Sequence, residues 1–199
     1  MSEIKAFNRW SMDCIKVEDP GLQRYVTLQP RIVPKTGARY AGNKFYKSRT
    51  FIVERLINKL MVPGHKSKKH YKTSCHITGK AQTNYSLVEE AFKHIEKTLK
   101  ENPIKVFIKA LENAAQREEI ITIEYGGARY PKAVECSPQR RVDLALRHMA
   151  QGAYHRTFNT KKSIVNSLAE EIIGAYRLSN VSNAIAKKLE VERQADSSR

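Results

Sequence analysis

The sequence predicts a mainly α fold: a bundle of about six helices with one projecting two-stranded β-ribbon, preceded by an irregular basic N-terminal extension. Three observations carry this expectation. Apolar residues recur at helical spacing in six stretches after Thr50, the period shortens to two before Gly126-Gly127, and residues 1–49 keep no sustained period. The chain therefore divides into an extension over 1–49 and a helical domain over 50–199, with the ribbon at about 120–136.

Pro20, Gly21, Pro30, Pro34, Gly37 and Gly42 punctuate the extension, which is expected to lie across a partner or the domain surface. The first helix draws its stripe from Ile52, Leu56, Ile57, Leu60 and Met61, and Pro63-Gly64 stops it. Residues 65–84 follow as a second basic, polar loop. Leu87, Val88, Ala91, Phe92, Ile95 and Leu99 mark the second helix, with Ser86 as its expected N-cap. Asn102 caps the third, and Pro103 takes its first position, where the missing N–H costs nothing. Ile104, Phe107, Ile108, Leu111, Ala114 and Ala115 form its stripe.

Ile121, Ile123 and Tyr125 then alternate with Thr122 and Glu124, the pattern of a strand. Gly126-Gly127 suits a two-residue hairpin turn because both positions tolerate positive φ. The return strand runs from Ala128 to about Cys136, and Pro131 within it requires a nitrogen facing away from the partner strand. Ser137 and Pro138 open the fourth helix, with Val142, Ala145, Leu146, Met149, Ala150 and Ala153 inward. Thr160 is expected to cap the fifth, which carries Ile164, Leu168, Ala169, Ile172, Ile173 and Tyr176. The sixth begins near Ser182 and carries Ile185 and Leu189.

Lys and Arg number 36 against 20 for Asp and Glu, giving +16, and the sequence pI is 9.8. Residues 30–80 hold thirteen Lys/Arg against Glu54 alone, so +12 of the +16 sits in about a quarter of the chain. A block this dense repels itself unless a polyanion neutralises it, which points to nucleic acid ahead of an anionic membrane surface or a polyacidic protein. Tyr40, Phe45, Tyr46, Phe51 and Tyr71 interleave with the cations, and aromatic faces stack on bases while cations meet phosphates. The bland alternative is a disordered soluble tail.

Arg140 and Arg141 fall in the first turn of the fourth helix, where the dipole favours acids and each cation costs on the order of a few tenths to 1 kcal/mol. A phosphate there would meet free amides and both guanidinium groups; pairing with Asp143 or Glu135 is the alternative. Arg156, Lys161 and Lys162 repeat the inversion around the fifth helix. A lone ribbon is marginal in water, and this one offers Arg129, Tyr130 and Lys132, residue types suited to RNA, unless it packs flat on the bundle.

The first residues do not form a signal peptide, and no apolar run approaches the ~20 residues of a membrane span. A cytosolic chain without membrane contact is expected. Cys14, Cys75 and Cys136 are too few and too far apart for a disulfide framework, and Cys75-His76 with His65 and His70 lacks paired zinc-ligand spacings, so no metal is expected. No phosphate-binding loop, dinucleotide fingerprint or nucleophile elbow occurs, so neither a cofactor nor an enzyme is expected. Glu89-Glu90, Glu118-Glu119 and Glu170-Glu171 read as capping or solvated acids on helices or at their ends. His148 and His155 share a helix with Asp143 but have no nucleophile.

IVERLINKLMVPG (52–64), NPIKVFIKALENAAQRE (102–118), YGGARYPKAVECSPQRRVDLAL (125–146) and KKSIVNSLAEEIIGA (161–175) together resemble the universal small-subunit ribosomal protein seven family, over essentially all of residues 50–199. The extension TGARYAGNKFYKSR and the ending Asp196-Ser197-Ser198-Arg199 resemble its archaeal and eukaryotic branch, and the Y-G-G-x-x-Y-P ribbon the archaeal type. The resemblance implies a structural constituent of the ribosome in the cytoplasm that binds the 3′ major (head) domain of small-subunit rRNA and nucleates head assembly. Its ribbon and C-terminus would lie near the exit-site tRNA and the mRNA, beside neighbouring head proteins. Carried over position by position, rRNA contacts fall on Arg39, Lys44, Lys47, Arg49, Arg140, Arg141, Arg156, Lys161 and Lys162. Gly126, Gly127, Arg129, Tyr130 and Arg199 would face the exit site. The chain departs from bacterial members in its less basic first strand and its longer basic loop before Asn84. The alternative reading is a helical regulator of double-stranded DNA, although the ribbon beside cationic helix starts suits an irregular RNA surface better than a groove, so DNA is not the expected partner.

Overall fold

The computed structural model describes residues 4–13, 15–37, 39, 41–62, 64–66, 69–70 and 77–199. Cys14, Tyr40, Pro63, Tyr71, Cys75 and His76 lie outside them, and with them part of the aromatic set and of the thiol-imidazole cluster. The described residues form seven α-helices, a longer β-hairpin and a short one: α1 (Pro20–Gln23), α2 (Ile52–Leu60), β1 (His65–Lys66), β2 (Lys69–His70), α3 (Ala81–Leu99), α4 (Pro103–Ala114), β3 (Glu118–Tyr125), β4 (Ala128–Glu135), α5 (Pro138–Thr157), α6 (Ile164–Tyr176) and α7 (Asn183–Asp196). The class is the one the sequence predicts.

The helix α6 is the centre of the bundle, packed against α3, α4, α5 and α7. Its small and branched residues Leu168, Ala169, Ile172 and Ala175 are all buried, which lets neighbours approach on several sides. Phe92 of α3 and Phe107 of α4 meet at 5.8 Å between ring centroids and anchor the adjoining layer. Gly152 of α5 is fixed by this closeness: a Cβ there would stand 2.8 Å from both Asn183 and Glu171, which leaves no room for a side chain.

Three boundaries differ from expectation. The seventh helix is α1, where Asp19 accepts a 2.8 Å hydrogen bond from the Gly21 amide and Pro20 pre-sets φ, so one turn forms inside the extension. The helix α3 begins at Ala81, not after Ser86, and the Ser86 hydroxyl bonds back to the Gln82 carbonyl at 3.3 Å. Thr160 ends α5 by donating to the carbonyls of Arg156 and Thr157, while Ser163 accepts from Val165 N and caps α6.

The N-terminal segment docks on the bundle. Ala6, Trp10, Val17, Leu22 and Val26 join the same buried cluster as the helices, and the Trp10 ring meets Phe92 edge-on at 6.0 Å. Asn102 both caps α4, accepting from Ile104 N at 3.0 Å, and donates to the Ser11 carbonyl at 2.8 Å. Asn102→Ala is therefore expected to destabilise the chain by about 1–2 kcal/mol, read as a lower urea midpoint at unchanged m-value; an unchanged midpoint would count against the double role.

Gly126 and Gly127 have φ of 57° and 82°, the two positive values that a type I′ turn demands. They put Tyr125 opposite Ala128, Ile123 opposite Tyr130 and Ile121 opposite Lys132. The base of the ribbon packs on α7, and every residue from 121 to 132 is exposed, so the ribbon projects.

Candidate nucleic-acid interface

Three sets of side chains make up the candidate interface. The first lies in the extension, where a 3-10 turn over Tyr46–Arg49 rests on α5. The Lys47 ammonium donates to Asp143 Oδ2 at 3.1 Å, and the Ser48 hydroxyl donates to Gln139 Oε1 at 2.6 Å. Arg55, on the buried side of α2, reaches Asp143 Oδ1 at 3.1 Å and the Tyr25 carbonyl at 2.9 Å. Burial pushes the Asp143 carboxyl up, but Arg55 and Lys47 outweigh it and hold it below the ordinary value. With Lys47 committed to Asp143, Arg31, Lys35, Arg39, Lys44 and Arg49 are the exposed cations between residues 30 and 49, and Lys44 sits over the Phe45 ring at 5.2 Å. No acid among the described residues pairs with Arg39, Lys44, Arg49 or Lys161.

The second set is the cationic helix starts. Arg140 grips Glu119 with both ends of its fork, Nε to Oε1 at 2.6 Å and Nη2 to Oε2 at 2.8 Å. Arg141 donates from Nη2 to Asp19 Oδ2 at 2.7 Å and from Nε to the Gln116 carbonyl at 3.1 Å. Burial raises the Asp19 carboxyl, but the Arg141 hydrogen bond, the Gly21 amide and nearby positive charge leave it lowered. The acids that answer these arginines are thus Glu119 and Asp19, not Asp143 or Glu135. Glu118 and Glu119 accordingly sit on β3 as ion-pairing groups, not as solvated helix acids. Arg156 lies 3.0 Å from Glu171 and 3.5 Å from Glu170 and donates to the Val181 carbonyl, and Lys162 joins Glu170. The side chain of Arg140 remains 53% exposed and that of Arg141 only 12%, so the first can reach an outside anion while holding Glu119 and the second is an internal tie.

The third set is the ribbon. Its tip presents Gly126 and Gly127, and Arg129 pairs across the strands with Glu124 at 3.5 Å. One face carries Ile121, Ile123, Tyr125 and Tyr130, with Tyr125 82% and Tyr130 58% exposed. Arg199 is not at the tip: its Nη2 meets both Glu118 oxygens at 2.6 Å, which ties the C-terminus to the ribbon base. Sequence patterns give no sign of Asp19 or Glu119 as partners and offer Asp143 to Arg140 or Arg141 where it serves Lys47 and Arg55, since each pairing joins distant segments.

No cluster of His, Cys, Asp and Glu among the described residues could hold a metal ion, and no described helix is long and apolar enough to cross a membrane. Comparison with known proteins gives the arrangement its family. Residues 22–199 match the family model described as ribosomal protein S7p/S5e. The small ribosomal subunit protein uS7 of Nanoarchaeum equitans is 53% identical over 197 residues, 99% of this chain and 100% of the relative. The protein of the same name from Archaeoglobus fulgidus is 45% identical, covering 99% of this chain and 96% of the relative. That from Methanothrix thermoacetophila is 42% identical over 98% of this chain and 100% of the relative. The chain therefore belongs to the ribosomal protein S7p/S5e family, in its archaeal type, and is a structural rRNA-binding protein of the small ribosomal subunit, not an enzyme.

Proposed function

We propose that the chain binds the 3′ major domain of small-subunit rRNA and starts assembly of the head, with the ribbon tip toward the exit-site tRNA and the mRNA. The observation that carries this is the pairing pattern of the cations. Arg141, Arg156, Lys47 and Lys162 are spent on acids within the chain, whereas Arg39, Lys44, Arg49 and Lys161 are exposed with no described acid to neutralise them. Phosphates are the counter-charge that such a surface takes up, with release of ions from the RNA. The ribbon supports the second half, because twelve consecutive exposed residues that include the stackable Tyr125 and Tyr130 have no use in the bundle itself.

Titration of the purified chain with a transcript of the 3′ major domain is expected to show preferential binding over duplex DNA and an unrelated RNA. The affinity should fall log-linearly with salt, and Arg39, Lys44 and Arg49 changed together to Ala should lower the slope by about 2. Equal affinity for all three nucleic acids, or a preference for duplex DNA, would overturn the proposal.

A further inference from the structure

One cleft holds a group that none of the described residues answers. It has a volume of about 730 Å³ and opens between the extension and the helices α2 and α3, with Ile32, Val33 and Met61 as apolar walls and Tyr46 and Tyr85 beside them. Glu54 of α2 lines it and is 2% exposed. Its Oε1 accepts from Thr36 N at 2.8 Å and Thr36 Oγ1 at 2.7 Å. Its Oε2 is buried and has no hydrogen-bond partner among the described residues. A carboxylate oxygen in that position keeps its whole desolvation cost until a donor arrives.

A second pocket of about 550 Å³ shares Thr36, Tyr46 and Thr50 with the cleft and is walled by Arg31, Lys44 and Arg49. An occupant that suits both has an apolar body for Ile32, Val33 and Met61, an N–H donor for Glu54 and an anionic group for Arg31, Lys44 and Arg49. We propose that the cleft receives a single extruded base of the small-subunit rRNA, an adenine, cytosine or guanine whose amino group donates to Glu54 Oε2, while Arg31, Lys44 and Arg49 hold its phosphate. This rests on the chain's rRNA partnership and adds a base-reading site to it. Acidic side chains read amino groups on base edges, and single-stranded RNA is recognised by splaying such bases out. Uracil is disfavoured, because its one ring N–H lies between two carbonyl oxygens that would face the carboxylate.

The test is chemical probing of the 3′ major domain transcript, free and bound, with dimethyl sulfate and kethoxal, beside salt titrations. The variants are Glu54→Gln, which can still accept from Thr36 but replaces one carboxylate oxygen with a donor, and Met61→Trp, which fills the cleft and leaves the Glu54 carboxylate in the sequence. The expected result is one adenine, cytosine or guanine protected by the wild-type chain and reactive with both variants. Affinity should fall about ten-fold with an unchanged salt slope, since a charged hydrogen bond is lost and no phosphate contact. If Glu54→Gln melts below the assay temperature, Met61→Trp alone decides. Protection and affinity unchanged in a folded variant overturn the base pocket and leave rRNA binding standing. A wild-type chain that does not bind the transcript overturns both.

Discussion

Glu171→Ala is expected to lower the unfolding free energy by about 2–4 kcal/mol, because two buried donors lose their acceptor at about 1–3 kcal/mol each. Glu171 is fully buried on α6, yet it serves as the cap of α7. Its Oε1 accepts from the Ser182 hydroxyl at 2.8 Å and the Ala184 amide at 3.0 Å, while the Arg156 guanidinium lies 3.0 Å from Oε2. Ser182 occupies the N-cap position but makes no capping bond of its own, so the carboxylate of another helix satisfies the first turn. Glu171→Gln keeps an acceptor and loses only the charge, and it should cost less than half as much. Urea unfolding measures both, and hydrogen exchange should show early opening of α7 in the alanine variant. A midpoint within error of wild type for Glu171→Ala would remove the carboxylate from this role.

The second large effect is a dependence of stability on pH centred on His148. Burial in α5, reinforced by Arg147 and Lys187 and only partly offset by Glu190, pulls its imidazole from 6.5 down to about 4. The unfolded chain takes up this proton near 6.5 and the native chain only near 4, so the unfolded state binds more protons throughout that window. Stability contributed by the neutral ring is complete above the higher value and is lost as pH falls through the window, by about 3 kcal/mol in all. Replacing His148 by Gln should flatten the urea midpoint between pH 6.5 and 4.5 relative to wild type. Parallel loss in both chains would assign the dependence to other groups. The carboxyls of Asp19 and Asp143 are held below 3.8, so their stabilisation starts to fail only under more acidic conditions. Glu171, which burial pushes up against the pull of its hydrogen bonds and Arg156, runs in the opposite direction: above its unfolded value it costs stability as pH rises.

The elements were legible where large apolar residues recur at a regular period. The stripes Ile52–Leu60 and Ile104–Ala115 have strong amphipathic periodicity, and glycine chemistry set the ribbon turn to the residue. The first turn of α3 was not legible: residues 81–86 carry no large aliphatic side chain, Gln82, Thr83 and Ser86 are exposed, and Asn84 is buried with its amide donating to the Lys80 carbonyl, so no apolar period announces them. Nor was the docking of Trp10, Leu22 and Val26, because an irregular chain buries single residues without rhythm. At the interface, the arginine pairs were visible as anomalies of sign, but their partners were not. Glu119 and Asp19 reach Arg140 and Arg141 only through the tertiary fold, which local spacing does not encode.

The tie between Asp19 and Arg141 spans 122 residues, and the amide of Glu18 waits for Glu112 across 94. The part of the chain synthesised first therefore gains these two ties only after α4 and α5 have been made. Until α5 has been made, the extension lacks Arg141, and closing so long a loop is entropically slow compared with pairing neighbouring helices. A nascent chain thus has its N-terminal segment held only through α2, α3 and the start of α4 until the rest of α4 and α5 supply Glu112 and Arg141.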